Sequence, residues 1–299
     1  MRIIDLKSGK ETCVNSDEYI ACCVGNFDGV HKGHKELIEK TVNNNLGLKT
    51  AVWTFESNSK GNIKILTPLS EKISFFKSYG LDYAILENFE NVKSLNKETF
   101  IKDILYDKCN VRYGVCGFNF AFGKGASGNS DDFKNIFSEL GVKTEIVMPV
   151  MVNSIPVSSS VIRECISKGD FSSANEYLGH KFYYKSIVVT GNRLGRKLGF
   201  PTANQYLDAN ICTPKFGVYK SETETDGKVY QSISYFGTKP TVQNKEEIIC
   251  ETHIFDFSSD LYGQEIKVYP LEFIREELKF DSLEELKNEV MKNIREVKS

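Results

Sequence analysis

Short apolar runs alternate with amphipathic segments along the first half of the chain. The runs are rich in β-branched and aromatic residues, which is typical of strands. They lie at 20–24, 48–55, 82–86, 113–116 and 143–148. The segments between them have helical periodicity, as from about Lys97 to Tyr106. Because strands joined through helices pair in parallel, this half is predicted to be a doubly wound α/β sheet.

The helix after the second of these strands has the clearest start and end signals. Thr67-Pro68 predicts an N-cap followed by proline at the first helical position, and Gly80 predicts the end. The positions expected to be buried are Ile73, Phe75, Phe76 and Tyr79. A later helix is predicted to follow the serines at 158–160 and to run to Leu178.

From Tyr184 onward, closely spaced apolar segments follow one another with turns between them. These segments are 187–190, 217–221, 229–235, 248–255 and 266–271. Such spacing predicts an antiparallel β-barrel or sandwich. One helix, from Ser282 to about Val297, is expected to close it, with an apolar stripe at Leu283, Leu286, Val290 and Ile294. The change of pattern predicts two domains, 1–181 and 182–299.

The composition is that of an ordinary globular protein, with 40% hydrophobic and 26% charged residues among 299. No apolar run is long enough for a membrane span, and the polar N-terminal segment is unlike a signal peptide, so a cytoplasmic location is expected. A net charge of -2 without a basic cluster argues against nucleic acid as a partner. The eight cysteines lack C-x-x-C spacing and are predicted to be reduced and mostly buried. No obligate protein partner is evident.

One stretch combines a glycine turn with two histidines. It is Gly25-Asn26-Phe27-Asp28-Gly29-Val30-His31-Lys32-Gly33-His34. An apolar run, two glycines and an amphipathic segment predict strand, turn and helix in that order. The histidines then lie at the start of a helix, beside exposed backbone N–H groups and the positive end of the helix dipole, where a phosphate group binds favourably. The turn also lies beyond the carboxyl end of a strand, which is where doubly wound sheets bind ligands.

The segment from Gly117 to Gly128 follows another strand and is predicted to open on the same edge of the sheet. Its glycines fit the spacing G-x-G-x-x-G at Gly123, Gly125 and Gly128. As a dinucleotide fingerprint this is weak, because a phenylalanine-rich stretch separates it from the strand. If that stretch is extended, three phenylalanines face one side, either as a core face or as a wall for a flat aromatic ligand. They are Phe118, Phe120 and Phe122.

The serines at 158–160 precede a helical pattern that contains Arg163 in its first turn. They fit an N-cap and, equally, a second phosphate-binding helix start.

In the second half, the segment from Gly191 to Asn204 interleaves glycines with Arg193, Arg196 and Lys197. It fits either a solvated turn or a phosphate-binding loop, although its spacing differs from that of the P-loop.

Two positions of the second half offer oxygen ligands and one offers a base. Thr202 and Asn204 have period-2 spacing, which places both on one face of an extended segment as a partial ligand shell for Mg²⁺. Glu251 lies on a mostly apolar strand, where it is either a general base or a paired structural acid.

Together these motifs resemble the bacterial bifunctional riboflavin kinase/FAD synthetase (FMN adenylyltransferase) family over nearly the full length. The matching residues are Gly25 to His34, Gly117 to Gly128, Ser158 to Arg163, Gly199 to Asn204, Leu261-Tyr262-Gly263, Arg275 and Phe280. Their order and spacing are specific, although no single motif is. The resemblance implies ATP-dependent phosphorylation of riboflavin to FMN by the C-terminal domain. It also implies adenylylation of FMN to FAD, with release of pyrophosphate, by the N-terminal domain.

For the N-terminal domain, the resemblance implies that His31 and His34 bind the ATP phosphates. They would stabilise charge at the α-phosphorus while the FMN phosphate attacks. The implied ATP-binding residues are Gly25, Asn26, Phe27, Asp28, His31, His34, Ser159 and Arg163. The implied flavin-binding residues are Phe118, Asn119, Phe120 and Gly123.

For the C-terminal domain, the resemblance implies that Glu251 orients and deprotonates the ribityl 5′-hydroxyl group for attack on the γ-phosphorus. The implied ATP-binding residues are Gly191, Arg196, Gly199, Thr202 and Asn204, of which Thr202 and Asn204 would also bind Mg²⁺. The implied flavin-binding residues are Arg275, Glu277 and Phe280.

The chain departs from the family pattern only in the N-terminal domain. Phe55 is followed by Glu56-Ser57-Asn58 where a Pro-His-Pro turn is common, and Ser160 and Val161 stand where threonine and a basic residue are usual. The alternative function is therefore a riboflavin kinase whose synthetase domain is weak or inactive and serves as a flavin- or nucleotide-binding module.

A zinc site built from Cys22, Cys23, His31 and His34 is disfavoured. Adjacent residues of a strand point to opposite faces, so the two cysteines cannot bind one ion together.

Overall fold

The computed structural model describes residues 1–6, 18–56, 63–191, 194–240 and 246–298. Four residues to which the sequence predictions refer lie outside these ranges: Cys13, Ser57, Asn58 and Arg193. The chain divides into two compact units, Met1–Ser159 and Ser160–Ser299.

The first unit is built on a parallel sheet. Its strands are β1 (Arg2–Asp5), β2 (Ile20–Val24), β3 (Lys49–Phe55), β4 (Tyr83–Glu87), β5 (Val111–Gly117) and β6 (Lys143–Val147). They pair in parallel in the order β1-β4-β3-β2-β5-β6. A short antiparallel pair follows, β7 (Met151–Val152) with β8 (Ile155–Pro156). The predicted doubly wound sheet is confirmed, and β1 has no counterpart among the predicted strands.

The helices of the N-terminal half lie between these strands, except the last two, which follow β8 and belong to the second unit from Ser160 onward. They are α1 (Lys32–Val42), α2 (Leu69–Ser78), α3 (Phe89–Val92), α4 (Lys97–Thr99), α5 (Ser130–Glu139), α6 (Ser159–Lys168) and α7 (Phe171–Leu178). After α4 the chain continues as a π-helix, Phe100–Lys108. The predicted single helix up to Leu178 is wrong, because Gly169, at φ 80°, separates α6 from α7.

Helix α2 differs from its prediction in its start and in its buried face. Pro68, not Thr67, is the N-cap residue, and the cap lacks a side-chain hydrogen bond. Of the four residues expected to be buried, only Phe76 is buried. Glu71 and Lys72, which were not expected to be buried, are buried as well. The inner face of this helix is therefore partly charged.

The two faces of the sheet bury separate apolar clusters. Cys22 packs on one face with Ile20 and Trp53, and Cys23 packs on the other with Phe27. The cysteines therefore point to opposite faces, as expected from their adjacency. Of the described cysteines, only Cys165 is not fully buried.

The second unit contains a closed antiparallel barrel, so the barrel and not the sandwich is correct. Its strands are β9 (Tyr184–Val189), β10 (Ala203–Tyr206), β11 (Gly217–Thr225), β12 (Lys228–Pro240), β13 (Glu246–Ile254) and β14 (Glu265–Arg275). They close in the order β10-β13-β12-β11-β14-β9. The short helix α8 (Leu194–Leu198) and strand β10 have no counterpart among the predicted elements.

The barrel has a hydroxyl-rich interior and an apolar outer patch. Inside, buried serines and threonines form a chain of hydrogen bonds of 2.8–2.9 Å between Thr223, Ser232, Ser221, Ser234 and Thr252.

Outside, the final helix α9 (Leu283–Lys298) packs through Ile294 and Val297. The Ser282 hydroxyl caps this helix by accepting from the Glu285 N–H. Leu283, expected in the buried stripe, is 56% exposed because it lies in the first turn, beyond the packed end.

Candidate functional site

The turn after β2 lies where the strand order of the sheet reverses. From β2 the chain proceeds through β3 to β4 on one side, and then returns to place β5 on the other side of β2. In such sheets the crevice at the reversal, beyond the carboxyl ends of the strands, is the usual ligand site. Residues 25–34 follow β2, and residues 117–128 begin at the last residue of β5. The topology thus brings both predicted segments to one edge of the sheet.

The turn itself has a strained backbone. Phe27 and Val30 are in the left-handed region, at φ 52° and 41°, which is unfavourable for side chains with a Cβ and most of all for β-branched valine. Residues in such conformations cost on the order of 1–3 kcal/mol each and persist only where the surroundings hold them. Both side chains are fully buried, and the Asp28 carboxylate accepts hydrogen bonds from Leu66 N and Thr67 N at 2.8 and 3.1 Å.

Two histidines are stacked at the start of α1. The ring centroids of His31 and His34 are 3.6 Å apart and the planes differ by 14°. His31 is the N-cap, and its Nδ1 accepts from the His34 backbone N–H at 3.3 Å. Since Nδ1 is the acceptor, a neutral His31 carries its proton on Nε2.

His34 is a neutral imidazole whose side chain is half-buried. Burial above all, and then the charges of His31 and Lys72, hold the pKa of His34 well below its ordinary value. Its Nδ1 is buried and has no hydrogen-bond partner among the described residues. With no acidic residue in the first turn of α1, the pair faces a helix start that favours anions.

A buried lysine, which the sequence predictions missed, lies beside this turn. The Lys72 ammonium donates to Asn26 O at 3.1 Å and to Phe55 O at 3.2 Å, and the residue is 5% exposed. Burial lowers its pKa to about 8, against the raising influence of Asp28. The available sequence signal was its spacing: Lys72 lies four residues before the buried Phe76, on the same side of α2.

The serines at 158–160 lie at the start of α6, and their role in phosphate binding stays a prediction. Ser159 is the first residue of α6, and its hydroxyl donates to Asp28 O at 2.9 Å, so it lies against the 25–34 turn. Arg163 lies in the next turn of α6, in the part of the chain assigned to the second compact unit. Its role in ATP binding stays a prediction.

The stretch after β5 is not extended, and its three phenylalanines do not share one side. Phe120 N donates to Gly117 O at 3.0 Å, which closes a turn. Phe118 is 44% exposed, whereas the Phe120 and Phe122 rings stack at 5.2 Å and pack on the core. Phe118 and Asn119 are therefore the residues of this stretch that lie in the exposed turn.

The glycines that follow have local structural reasons. At Gly123, with φ 75°, an added Cβ would lie 3.1 Å from Lys97 N, so the backbones approach too closely for a side chain. At Gly128 it would lie 2.9 Å from the Phe122 ring. Gly125 has no such contact but is in the left-handed region, at φ 64°. Local packing and backbone conformation thus account for all three glycines without a dinucleotide.

In the second unit, three neighbouring strands form a polar row on the outer face of the barrel. Asn204 of β10 pairs with Glu251 of β13, which pairs with Tyr235 of β12. Directly opposite residues of antiparallel strands point to the same side, so these side chains are neighbours. Burial raises the pKa of Glu251, and Lys239 only partly opposes it. A carboxylate with a raised pKa beside a cavity is a good candidate for a general base.

Glu251 lines an apolar cavity of about 280 Å³ between the barrel and α9. Of the predicted site residues, the cavity brings together Thr202, Glu251, Arg275, Glu277 and Phe280. Its walls are largely aromatic and aliphatic, including Phe200 and Leu286, which suits a flat apolar ring system.

A smaller, more polar cavity of about 100 Å³ adjoins the first through Thr202. Arg196, Thr202 and Asn204 line it, together with Ser258 and Asp260. Gly191 packs against Asn204, because a Cβ atom added to Gly191 would lie 2.7 Å from the side-chain amide nitrogen of Asn204. Gly199, which was also predicted to bind ATP, lines neither cavity.

Thr202 and Asn204 fit a magnesium site. The Asn204 amide nitrogen donates to Thr202 O at 3.3 Å, which leaves the amide oxygen as the ligand atom of that side chain. Mg²⁺ prefers oxygen ligands and keeps several waters while it binds substrate phosphates, so it needs few ligands from the protein itself.

Tyr235 is a second residue that the sequence predictions missed. Its hydroxyl donates to the Glu277 carboxylate, and it lines the larger cavity beside Glu251. An aromatic residue on a predicted strand gives no sign of this role in sequence.

Two family models match the chain. Residues 13–161 match the model described as FAD synthetase, and residues 178–299 match the one described as Riboflavin kinase.

Curated relatives match over most of their length. Bifunctional riboflavin kinase/FMN adenylyltransferases from Buchnera aphidicola subsp. Schizaphis graminum and Bacillus subtilis are each 34% identical, with 95% and 91% of this chain and 94% and 90% of the relatives covered. The enzyme of the same name from Escherichia coli is 32% identical over 90% of this chain and 89% of its own.

A solved structure called a macrolide-efflux protein, from Streptococcus pneumoniae, has a similar fold. Its TM-score is 0.89 at 29% identity, covering 100% of this chain and 99% of that one. Within the described ranges, no helix combines the length and apolar character that crossing a membrane requires. The agreement of both family models with full-length relatives at 32–34% identity decides the assignment. This chain belongs to the bifunctional riboflavin kinase/FMN adenylyltransferase family.

Proposed function

We propose that this protein makes FAD from riboflavin in two ATP-dependent steps at separate sites. The C-terminal site transfers the γ-phosphoryl group of ATP to riboflavin, and the N-terminal site transfers the adenylyl group of a second ATP to FMN. The observation that carries the proposal is the grouping of reactive side chains: stacked histidines at the 25–34 turn, and Glu251 with Asn204 beside an apolar cavity.

At the N-terminal site, catalysis depends on positioning and charge. The start of α1 and the pair His31 and His34 bind the phosphates of ATP and stabilise the charge that develops at the α-phosphorus. The FMN phosphate attacks that phosphorus and pyrophosphate leaves. Asn26, Asp28 and Ser159 belong to the phosphate-binding turn or lie against it.

At the C-terminal site, the larger cavity holds the flavin and the smaller one holds the nucleotide. Glu251 lines the larger cavity and is paired with Asn204, which lines the smaller one. It accepts the proton of the ribityl 5′-hydroxyl group as its oxygen attacks the γ-phosphorus. Arg275, Glu277 and Phe280 line the flavin side, and Arg196 lines the nucleotide side. The raised pKa of Glu251 makes it a stronger base than an exposed glutamate.

Thr202 and Asn204 hold Mg²⁺ in this proposal. When bound, the ion neutralises phosphate charge. The two family models leave residues 162–177 between them, and we propose the domain border near residue 182, where the barrel begins. We also propose that the enzyme acts in the cytoplasm.

Incubation with riboflavin, ATP and Mg²⁺, followed by chromatographic separation of the flavins, tests the proposal. FMN is expected first and FAD after it. Accumulation of FMN without FAD, also when FMN is supplied directly, would favour the kinase with an inactive synthetase domain. Failure to consume riboflavin would contradict the proposed kinase.

A further inference from the structure

Lys72 is a buried cation that none of the mechanistic steps above uses. No carboxylate lies within 4 Å of its ammonium among the described residues, and its acceptors are two backbone carbonyls. Burying an ammonium costs free energy unless its hydrogen bonds compensate. A methionine of similar length would fill the space without that cost, so the placement of a charge here needs a reason.

The two carbonyl groups that accept from the Lys72 ammonium belong to different segments of the chain. Phe55 O belongs to the last residue of β3, and Asn26 O belongs to the 25–34 turn after the neighbouring strand β2. Asn26 O also accepts from the Thr54 hydroxyl at 3.2 Å. Lys72 thus joins the carboxyl ends of the two strands directly beside the left-handed residues Phe27 and Val30.

The segment just before α2 makes a second set of hydrogen bonds to the 25–34 turn. Leu66 and Thr67, just before α2, donate their backbone N–H groups to the Asp28 carboxylate. Bonds from a charged donor and bonds to a charged acceptor are stronger than neutral ones. Charge-assisted bonds on both sides of Phe27 therefore oppose relaxation of its strained conformation.

We propose that Lys72 is a positioning residue for adenylyl transfer, holding the strained turn so that the histidine pair and the start of α1 face the phosphates of ATP. This inference rests on the proposed function of the N-terminal site. Lys72 acts through the backbone of Asn26 and through its charge beside His34, which it helps to keep neutral.

The test compares Lys72→Met with wild type and with Lys77→Met, an exposed lysine near the end of the same helix. In Lys72→Met, kcat for FAD formation from FMN is expected to fall about a hundredfold, because small displacements of reacting groups have effects of that size. The KM of Lys72→Met for ATP is expected to rise, whereas its rate of FMN formation, which depends on the barrel domain, is expected to match wild type. The control variant Lys77→Met is expected to match wild type in both activities.

Trp53 reports whether the variant unit is folded. It is the only tryptophan of the chain and is buried in β3, so its emission follows the N-terminal unit. Rates are compared only for variants with native Trp53 emission. If Lys72→Met lacks it, Lys72→Gln, which keeps donors but not the charge, takes its place. Lys72→Arg, which keeps the charge, is expected to recover part of the rate.

A second measurement separates positioning from simple stabilisation. The chain has four histidines, so the imidazole signals can be followed by NMR and His34 assigned with a His34→Gln variant. The groups that act on it are His31, Lys72 and, through Lys72, Asp28. Loss of the lysine charge is expected to raise the pKa of His34.

An uncharged, folded Lys72 variant with kcat and KM for ATP within about twofold of wild type would overturn the proposal, since its effect would be no larger than that of a surface change. Absence of FAD formation by the wild type would instead contradict the function proposed for the N-terminal site.

Discussion

The two sites are built in opposite ways. The candidate N-terminal site is centred on ten consecutive residues in a strained turn. The Lys72 ammonium of α2 holds the backbone of this turn, and backbone N–H groups just before α2 hold its Asp28 carboxylate. The C-terminal site is made by regular strands, with Asn204, Glu251 and Tyr235 aligned across the barrel surface and a helix covering the cavity. A contiguous site depends on backbone conformation, whereas a dispersed one depends on strand register.

The largest expected effect tests whether the sites are independent. His31→Ala or His34→Ala is expected to abolish FAD formation, with at least a hundredfold loss, because in the proposed mechanism each imidazole stabilises charge at the α-phosphorus. FMN formation from riboflavin is expected to continue at the wild-type rate. Flavin chromatography with each substrate measures both, and equal loss of the two activities would contradict the two-site assignment.

The converse change is Glu251→Gln, which keeps the size of the side chain but cannot accept a proton as a carboxylate does. Phosphorylation of riboflavin is expected to fall about a hundredfold or more, while supplied FMN is still converted to FAD. An unchanged rate of riboflavin phosphorylation would remove Glu251 from the mechanism.

The apolar cavity predicts a specific binding defect in the barrel. Leu286→Ala removes part of the wall and is expected to raise the KM for riboflavin by about tenfold, which corresponds to the loss of one or two buried methylene contacts. The KM for ATP is expected to stay unchanged. Leu283→Ala, at the exposed position one turn earlier on α9, is the matched control. An equal change in both KM values would indicate a general disturbance of the barrel.

The smallest effect concerns pH. The base acts as a carboxylate, and burial raises the pKa of Glu251, so the kinase rate is expected to fall as pH decreases through that raised value. Lys239 lowers this pKa. Lys239→Met is therefore expected to move the acid limb of the kinase profile upward by roughly half a pH unit, a typical size for one partly screened charge. A downward movement would contradict the assignment of the limb to Glu251.

Local patterns along the chain are enough to predict most of the order of elements in both halves. Hydrophobic periodicity was sufficient for five of the six strands of the parallel sheet and for five of the six barrel strands, because strand and helix periods differ along the chain. The 25–34 turn was also found from the sequence, because a glycine turn, two histidines and a helix start are signals that lie next to one another along the chain. Glu251 was noticeable because a carboxylate on an apolar strand is unusual.

Which side chains meet depends on how the elements pack in the folded protein. Lys72 and Tyr235 gained their places from contacts with Asn26 and Glu277, which are distant along the chain. The three phenylalanines after β5 would share one side only if the segment were extended, but a turn closed by Gly117 separates Phe118 from the others. Periodicity describes the neighbours of a residue in its own element. Burial of a charge and the register between strands depend on the other elements packed against it, and no local pattern contains that information.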